Sequence, residues 1–172
     1  MTTRVLVVYA SRYGSTMEVA EAVGDMLGDR GADVEVGVLA AKEATTSGVD
    51  IGSYGLVVVG SPVYAGKWLG DAIDFVKKHA DALREVPVAI FSVGLTMKED
   101  TPENRATMAE ATKGITDIIS PVATGMFAGK LDTKVLNLPM RMIIKAMKSP
   151  EGDFRNWDAI REWAEGLPLP AA

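Results

Sequence analysis

The sequence contains no cysteine and a single histidine, His79. Without a thiol there can be no disulfide, no cysteine nucleophile and no cysteine-ligated zinc or iron–sulfur cluster. One histidine leaves too little for a histidine-based metal centre or a Ser-His-Asp triad. Positive charge is also in deficit. The formal net charge of −5 argues against a nucleic-acid binder, which would present a basic face. No apolar run approaches the roughly 20 residues needed to cross a bilayer. Met1-Thr2-Thr3-Arg4 leads straight into a strand pattern with no signal-peptide core, so a cytoplasmic location is expected. Repeats and linkers are absent too, and 172 residues suit one domain, 1–172, with a sizeable core.

Two phosphate motifs are missing. There is no G-x-x-x-x-G-K-[ST] for a nucleoside triphosphate and no G-x-G-x-x-G for a dinucleotide pyrophosphate. What stands in their place is Val5-Leu6-Val7-Val8-Tyr9 followed by Ala10-Ser11-Arg12-Tyr13-Gly14-Ser15-Thr16. The apolar β-branched run reads as a strand buried on both faces. The polar turn after it opens a helix, with Ser15 and Glu18 at capping-box spacing and Ser15 as the expected N-cap. A helix start collects backbone N–H groups and the positive end of the helix dipole, which together make an anion site. Ser11, Ser15 and Thr16 add hydroxyls, and Gly14 allows close approach of the backbone. With one arginine, Arg12, such a turn suits a single terminal phosphate; ordinary capping at a strand-turn-helix junction is the alternative.

Strand and helix patterns alternate along the rest of the chain. Strands are expected at 4–9, 34–38, 56–60, 86–93 and 122–128, and helices at 16–29, 69–80 and 102–119. A Thr/Ser/Gly-rich stretch at 40–54 holds at most a short helix, and a last helix starts at Asp153. Thr101 and Pro102 are N-cap and first residue of their helix. Five strands with crossover helices give an α/β, doubly wound parallel sheet, which binds ligands beyond the carboxyl ends of its strands. Three loops converge there. They are the turn at 11–16, an aromatic loop at 61–68 (Ser61, Pro62, Val63, Tyr64, Ala65, Gly66, Lys67, Trp68) and a polar loop at 94–100 following Ser92 and Val93. A planar ring carrying a monophosphate unites them, and flavin mononucleotide (FMN) fits. Tyr64 on the loop tip is the candidate stacking residue, whereas Trp68 reads as packing.

In these features the chain resembles the flavodoxin-like superfamily over nearly its whole length. Ser11-Arg12-Tyr13-Gly14-Ser15-Thr16 matches that family's phosphate loop, Gly60-Ser61-Pro62-Val63-Tyr64 its first flavin loop, and Ser92-Val93-Gly94 the start of its second. The resemblance implies strand order 2-1-3-4-5, bound FMN and a stacking role for Tyr64. Within the superfamily the chain is similar to the menaquinone-dependent protoporphyrinogen IX dehydrogenases and related flavodoxin-domain proteins. That likeness rests on residues 74–80, Phe91-Ser92-Val93-Gly94-Leu95, residues 140–148 and Trp157. Some positions depart from the superfamily pattern. The second loop lacks an aromatic, Met97 being the nearest polarizable substitute, and only Glu99 and Asp100 remain of an acidic shell. Ala65 replaces a glycine, and its side chain disfavours positive φ, from which electron uptake in pairs is expected.

Residues 130–150 interrupt the alternation with five basic residues and one acid, a net +4 that leaves −9 on the remainder. A helix over 137–148 would gather Met140, Ile143, Ile144 and Met147 on one face and Arg141, Lys145 and Lys148 on another. Such a helix packs on the body of the chain or on a second copy, giving a homodimer, or docks on a membrane surface or a partner. The expected function is electron transfer through noncovalent FMN to a redox partner protein or a quinone. Its rivals are a quinone-dependent protoporphyrinogen IX dehydrogenase and a non-redox binding module of the same fold.

Overall fold

The computed structural model describes residues 2–40, 48–149 and 151–170. Residues 41–47, part of the 40–54 stretch expected to hold at most a short helix, lie outside them, and its described part carries a 3-10 turn at Ile51–Ser53. In chain order, β1 (Arg4–Tyr9), α1 (Ser15–Asp29) and β2 (Asp33–Val38) form the first unit. β3 (Leu56–Tyr64) folds back on β4 (Lys67–Trp68), and α2 (Gly70–Lys78) with α3 (Ala80–Leu83) leads to β5 (Val88–Gly94). α4 (Pro102–Ala111) and α5 (Lys113–Thr116) lead to β6 (Ala123–Ala128). An excursion follows, made of β7 (Lys130–Leu131), α6 (Leu138–Ala146) and β8 (Gly152–Asp153), before α7 (Trp157–Glu165) closes the fold.

The main strands lie in the order β2-β1-β3-β5-β6, every pair parallel. Leaving out the short antiparallel β4, this is the doubly wound order expected. Alternation along the buried strands divides the core into two layers. Val57 and Val59 point to one face with Phe75, Val76, Leu83 and Ile115. Leu56 and Val58 point to the other with Val19, Val23 and Leu27 of α1 and Ile160 and Ala164 of α7. Each fully buried aliphatic or aromatic side chain contributes about 1.5–3 kcal/mol, so the central strands hold the sheet together.

Four differences from the sequence reading have physical causes. β3 runs nine residues, because Ser61 and Pro62 continue its pairing with Ser92 and Val93 and Val63 then pairs with Trp68. The stretch expected to be a loop is therefore largely a hairpin. The helix expected over 102–119 divides into α4 and α5, with Thr112 between them, though its cap is as expected: Asn104 N–H donates to Thr101 Oγ1 at 3.1 Å. The last helix starts at Trp157, not Asp153, because Asn156 takes the cap and accepts from Ala159 N–H at 3.1 Å. Asp153 sits in β8 instead.

The fourth difference concerns α6. None of its residues is buried, so its apolar stripe does not join the described core. Leu138, Met142, Ile143 and Met147 are 68%, 64%, 51% and 68% exposed, and Met140 and Ile144 are half-buried.

Gly60 lies where β3 crosses the Phe91 ring, and a Cβ there would sit inside that ring. Gly60→Ala should therefore destabilise the protein by about 2–3 kcal/mol, the usual scale of overpacking a closed core. Urea unfolding followed by far-ultraviolet circular dichroism checks this, and an unchanged midpoint would mean the ring yields.

Candidate functional site

The turn between β1 and α1 is shaped by Gly14, which takes φ +90° and stands as N-cap of α1. Ser15 is thus the first helical residue and not the cap, and no side chain caps the helix. The capping box fails because Gly14 shifts Ser15 and Glu18 out of its register, and Glu18 faces Arg155 Nη1 at 3.4 Å. The N–H groups of Ser15, Thr16 and Met17 consequently find no acceptor among the described residues. Thr16 is 1% exposed, and its hydroxyl makes no hydrogen bond to another described residue. Ser11 Oγ tightens the turn by accepting from Gly14 N–H at 3.0 Å, and Ala10 N–H donates to Gly60 O at 3.0 Å, which ties the turn to β3. Unsatisfied donors at the positive end of a helix are the equipment of an anion site.

Beside this turn stands the β3–β4 hairpin. Its two-residue connection, Ala65-Gly66, has φ +50° and +74°, the pattern of a type I′ turn. Ala65 therefore already holds the positive φ that its side chain was expected to disfavour, and that part of the case for paired electron uptake falls away. Tyr64, just before the turn, meets the edge of Tyr13 with ring centroids 6.3 Å apart and planes at 82°. The Arg12 guanidinium lies 5.4 Å from the centre of the Tyr64 ring. Burial, reinforced by Tyr13 and opposed by Arg12, raises the Tyr64 phenol above its ordinary range, so it stays neutral at neutral pH. Tyr64 nevertheless remains 36% exposed.

Inside the hairpin the serines have structural partners. Ser61 Oγ donates to Pro62 O at 2.8 Å and accepts from Leu69 N–H at 3.0 Å. Ser92 Oγ accepts from the buried indole of Trp68 at 2.8 Å. Pro62 and Val93 are buried, Val63 is half-buried, and Gly66 is exposed. After β5, Gly94 is buried and Leu95 half-buried, at the head of a 3-10 turn over Leu95–Lys98. Met97 packs into a small cluster with Met108 and Ala128 and is nearly buried. Asp100 is paired with Arg105 through bonds of 2.6 and 2.7 Å. The structure thus brings the turn at 11–16 and the hairpin tip into contact, while Met97 sits beneath the edge.

Arg155 escaped the sequence reading. Its side chain is only 3% exposed at the start of α1. Nη1 donates to Ser15 O at 3.3 Å, Nε and Nη2 hold Asp153 at 2.9 and 2.7 Å, and the guanidinium covers Trp157 at 4.7 Å. It fastens the end of the excursion to the turn. An arginine between half-exposed acids carries no sequence signature of such a role.

Two concave places lie away from these loops. One of about 260 Å³ is lined by Leu39, Asp71, Asp74, Phe75 and His79. Another, of about 480 Å³, lies beside α6 among Thr133, Arg141, Ile144, Lys145, Lys148 and Glu151.

Residues 6–158 match the family model described as Flavodoxin domain. The chain belongs to the flavodoxin-domain family. This flavodoxin-domain chain is 28% identical to the protoporphyrinogen IX dehydrogenase [quinone] of Leishmania major over 95% of its own length and 75% of that protein. The protein of the same name from Escherichia coli (strain K12) is 29% identical over 59% of the chain, and the match spans 53% of its length. Solved structures of the same fold include a flavodoxin of Streptococcus pneumoniae TIGR4, with TM-score 0.56 and 17% identity over 95% of this chain and 96% of that one. A flavoprotein from Lactobacillus acidophilus NCFM, solved in complex with FMN, has TM-score 0.53 and 15% identity over 73% and 93%.

Arg155→Met should cost about 1–3 kcal/mol, since it leaves the Ser15 carbonyl and two carboxylates without their donor. A pH signature accompanies it. The hydrogen bond from Arg155 holds Asp153 below its ordinary value of 3.8, so its stabilising effect is present above that pH and is lost as pH falls through the lower folded value. The variant should therefore show a shallower loss of stability below about pH 4. Urea midpoints measured across that range test both statements.

Proposed function

We propose that this flavodoxin-domain chain binds FMN noncovalently at the turn of residues 11–16 and moves electrons through it to a protein partner or a quinone. The observation that carries this reading is the first turn of α1, which has no side-chain cap and offers unpaired N–H groups beside the hydroxyl of Thr16, a residue otherwise buried. Those donors would take the phosphate, and Arg12 would complete its charge balance. Tyr64 would face the flavin ring, with the backbone of the hairpin tip and of residues 94–97 at its edge. FMN, when bound, supplies the redox chemistry; the chain holds, orients and tunes it.

A second reading is favoured by the relatives at 28% and 29% identity, both named protoporphyrinogen IX dehydrogenase [quinone]. On that reading the same site oxidises a porphyrinogen and hands the electrons to a quinone. The hydroxyls of Ser11, Ser15 and Thr16 together with Tyr64 weigh against a binding module that has lost its flavin.

The protein should take up FMN with much higher affinity than riboflavin, because riboflavin lacks the phosphate. Thr16→Ala should weaken FMN binding by about 1–2 kcal/mol, the scale of a hydrogen bond to a charged group, and leave riboflavin binding unchanged. Flavin fluorescence titration measures both. Equal affinities for the two flavins would remove the phosphate from this turn. Anaerobic assay with protoporphyrinogen IX and a menaquinone analogue then separates the dehydrogenase reading from a carrier.

A further inference from the structure

We propose that α6 is a docking surface for an anionic lipid bilayer, lying in the interface with Leu138, Met142, Ile143 and Met147 in the acyl boundary and Lys145 and Lys148 among the lipid phosphates. The surface stands on its own residues and does not depend on FMN binding. At 3.6 residues per turn, Leu138, Met142, Ala146, Pro139, Ile143 and Met147 fall within one half of the helix circumference. Met140 and Ile144 turn toward the body and are half-buried. The outward half is thus apolar without interruption, and its four largest side chains are the exposed ones reported above. Such a face in contact with water is unfavourable unless something covers it.

Hydrogen bonds at both ends and along one side anchor the helix in that pose. Arg141 turns inward, its Nε donating to Thr133 O at 2.7 Å and Leu136 O at 2.9 Å and its Nη2 to Lys134 O at 3.0 Å. Asn137 Oδ1 caps the start by accepting from Met140 N–H at 3.0 Å. The C-terminus closes in a Schellman motif, with Ser149 N–H on Ile144 O at 3.3 Å and Lys148 N–H on Lys145 O at 3.1 Å. That motif needs a left-handed residue, usually glycine, and Lys148 fills it at φ +52°. A lysine stands where glycine would be less strained, and it adds a cation beside Lys145 at the end of the helix. Beside it lies the hollow of about 480 Å³ among Lys145, Lys148 and Arg141. Its one acid, Glu151, is occupied by the hydroxyl of Thr133 at 2.6 Å and its N–H at 3.2 Å.

Charge selects the occupant. The segment carries +4 on a chain whose remainder carries −9, so an anionic surface attracts this face and repels the rest. A second copy would bring +4 against +4 in a symmetric pairing. The outward half of α6 carries no polar side chain to set a register against a folded partner. A fluid apolar layer with phosphates at its edge matches both features. The excursion also leaves and returns at the sheet edge that carries the phosphate turn, since Phe154 N–H donates to Gly129 O at 3.1 Å and Arg155 reaches Ser15. Docking would therefore hold the candidate site close to the bilayer.

The test is vesicle flotation of the full chain with phosphatidylglycerol mixed into phosphatidylcholine, against phosphatidylcholine alone. Binding is expected to the anionic vesicles only, and to fall as salt is raised. Lys145→Gln and Lys148→Gln should each lower the partition coefficient about fivefold. Met142→Gln with Met147→Gln should abolish binding without lowering the thermal midpoint. Lys148→Gly supplies the sharpest contrast, because it should raise the midpoint while weakening binding. Absence of binding at low salt, or equal binding to both vesicles, overturns the proposal. So does a large loss of stability in the methionine variant, which would show a packed helix. Sedimentation velocity showing a dimer abolished by that variant would assign the face to a second copy and overturn it as well.

Discussion

Two buried serine hydroxyls hold the carboxyl edge of the sheet in place. Ser61 links its own strand to the start of α2 through Leu69 N–H, and Ser92 receives the indole N–H of Trp68 across the hairpin. Inside a core each such group must be paired, and an orphaned partner costs about 1–3 kcal/mol. These bonds are what allow β3 to run beyond the sheet and turn back at Ala65-Gly66. They set Tyr64 against Tyr13 and Arg12, so the aromatic tip and the turn after β1 become one surface. Without them the two loops would have little reason to meet.

The electrostatics of that edge come mostly from backbone. Side-chain acids and bases nearby are already matched, Asp100 with Arg105 and Arg155 with Asp153 and Glu18. The first N–H groups of α1 remain without acceptors among the described residues, and Arg12 lies over Tyr64. A net negative protein thus keeps a local positive field at this turn, built from peptide dipoles and the Arg12 guanidinium. The sign of the whole chain says little about such a place.

Buried parallel strands were legible in the residues, because runs such as Leu56-Val57-Val58-Val59 fit a strand buried on both faces, while the strand order came with the family resemblance. The cap at Thr101-Pro102 was equally plain. The rest depended on long-range partners that a linear pattern does not carry. Ser15 and Glu18 have the spacing of a capping box, but a distant arginine claims the glutamate and Gly14 takes the cap. Ser61 and Pro62 have turn-like chemistry yet remain in the ladder because Ser92 and Val93 lie alongside. Ala65 accepts a left-handed conformation since the flanking strands demand a tight hairpin. The apolar spacing in α6 is that of a core helix. Its exposure follows from the excursion carrying it off the body, which no periodicity reveals.

The composition of that exposed helix has a chemical consequence. Two of its large outward side chains, Met142 and Met147, are thioethers open to solvent. Oxidation converts each into a polar, chiral sulfoxide, which reductases can reverse. The greasiness of this face therefore varies with the oxidant level around the protein, in a way that leucine in the same places would prevent.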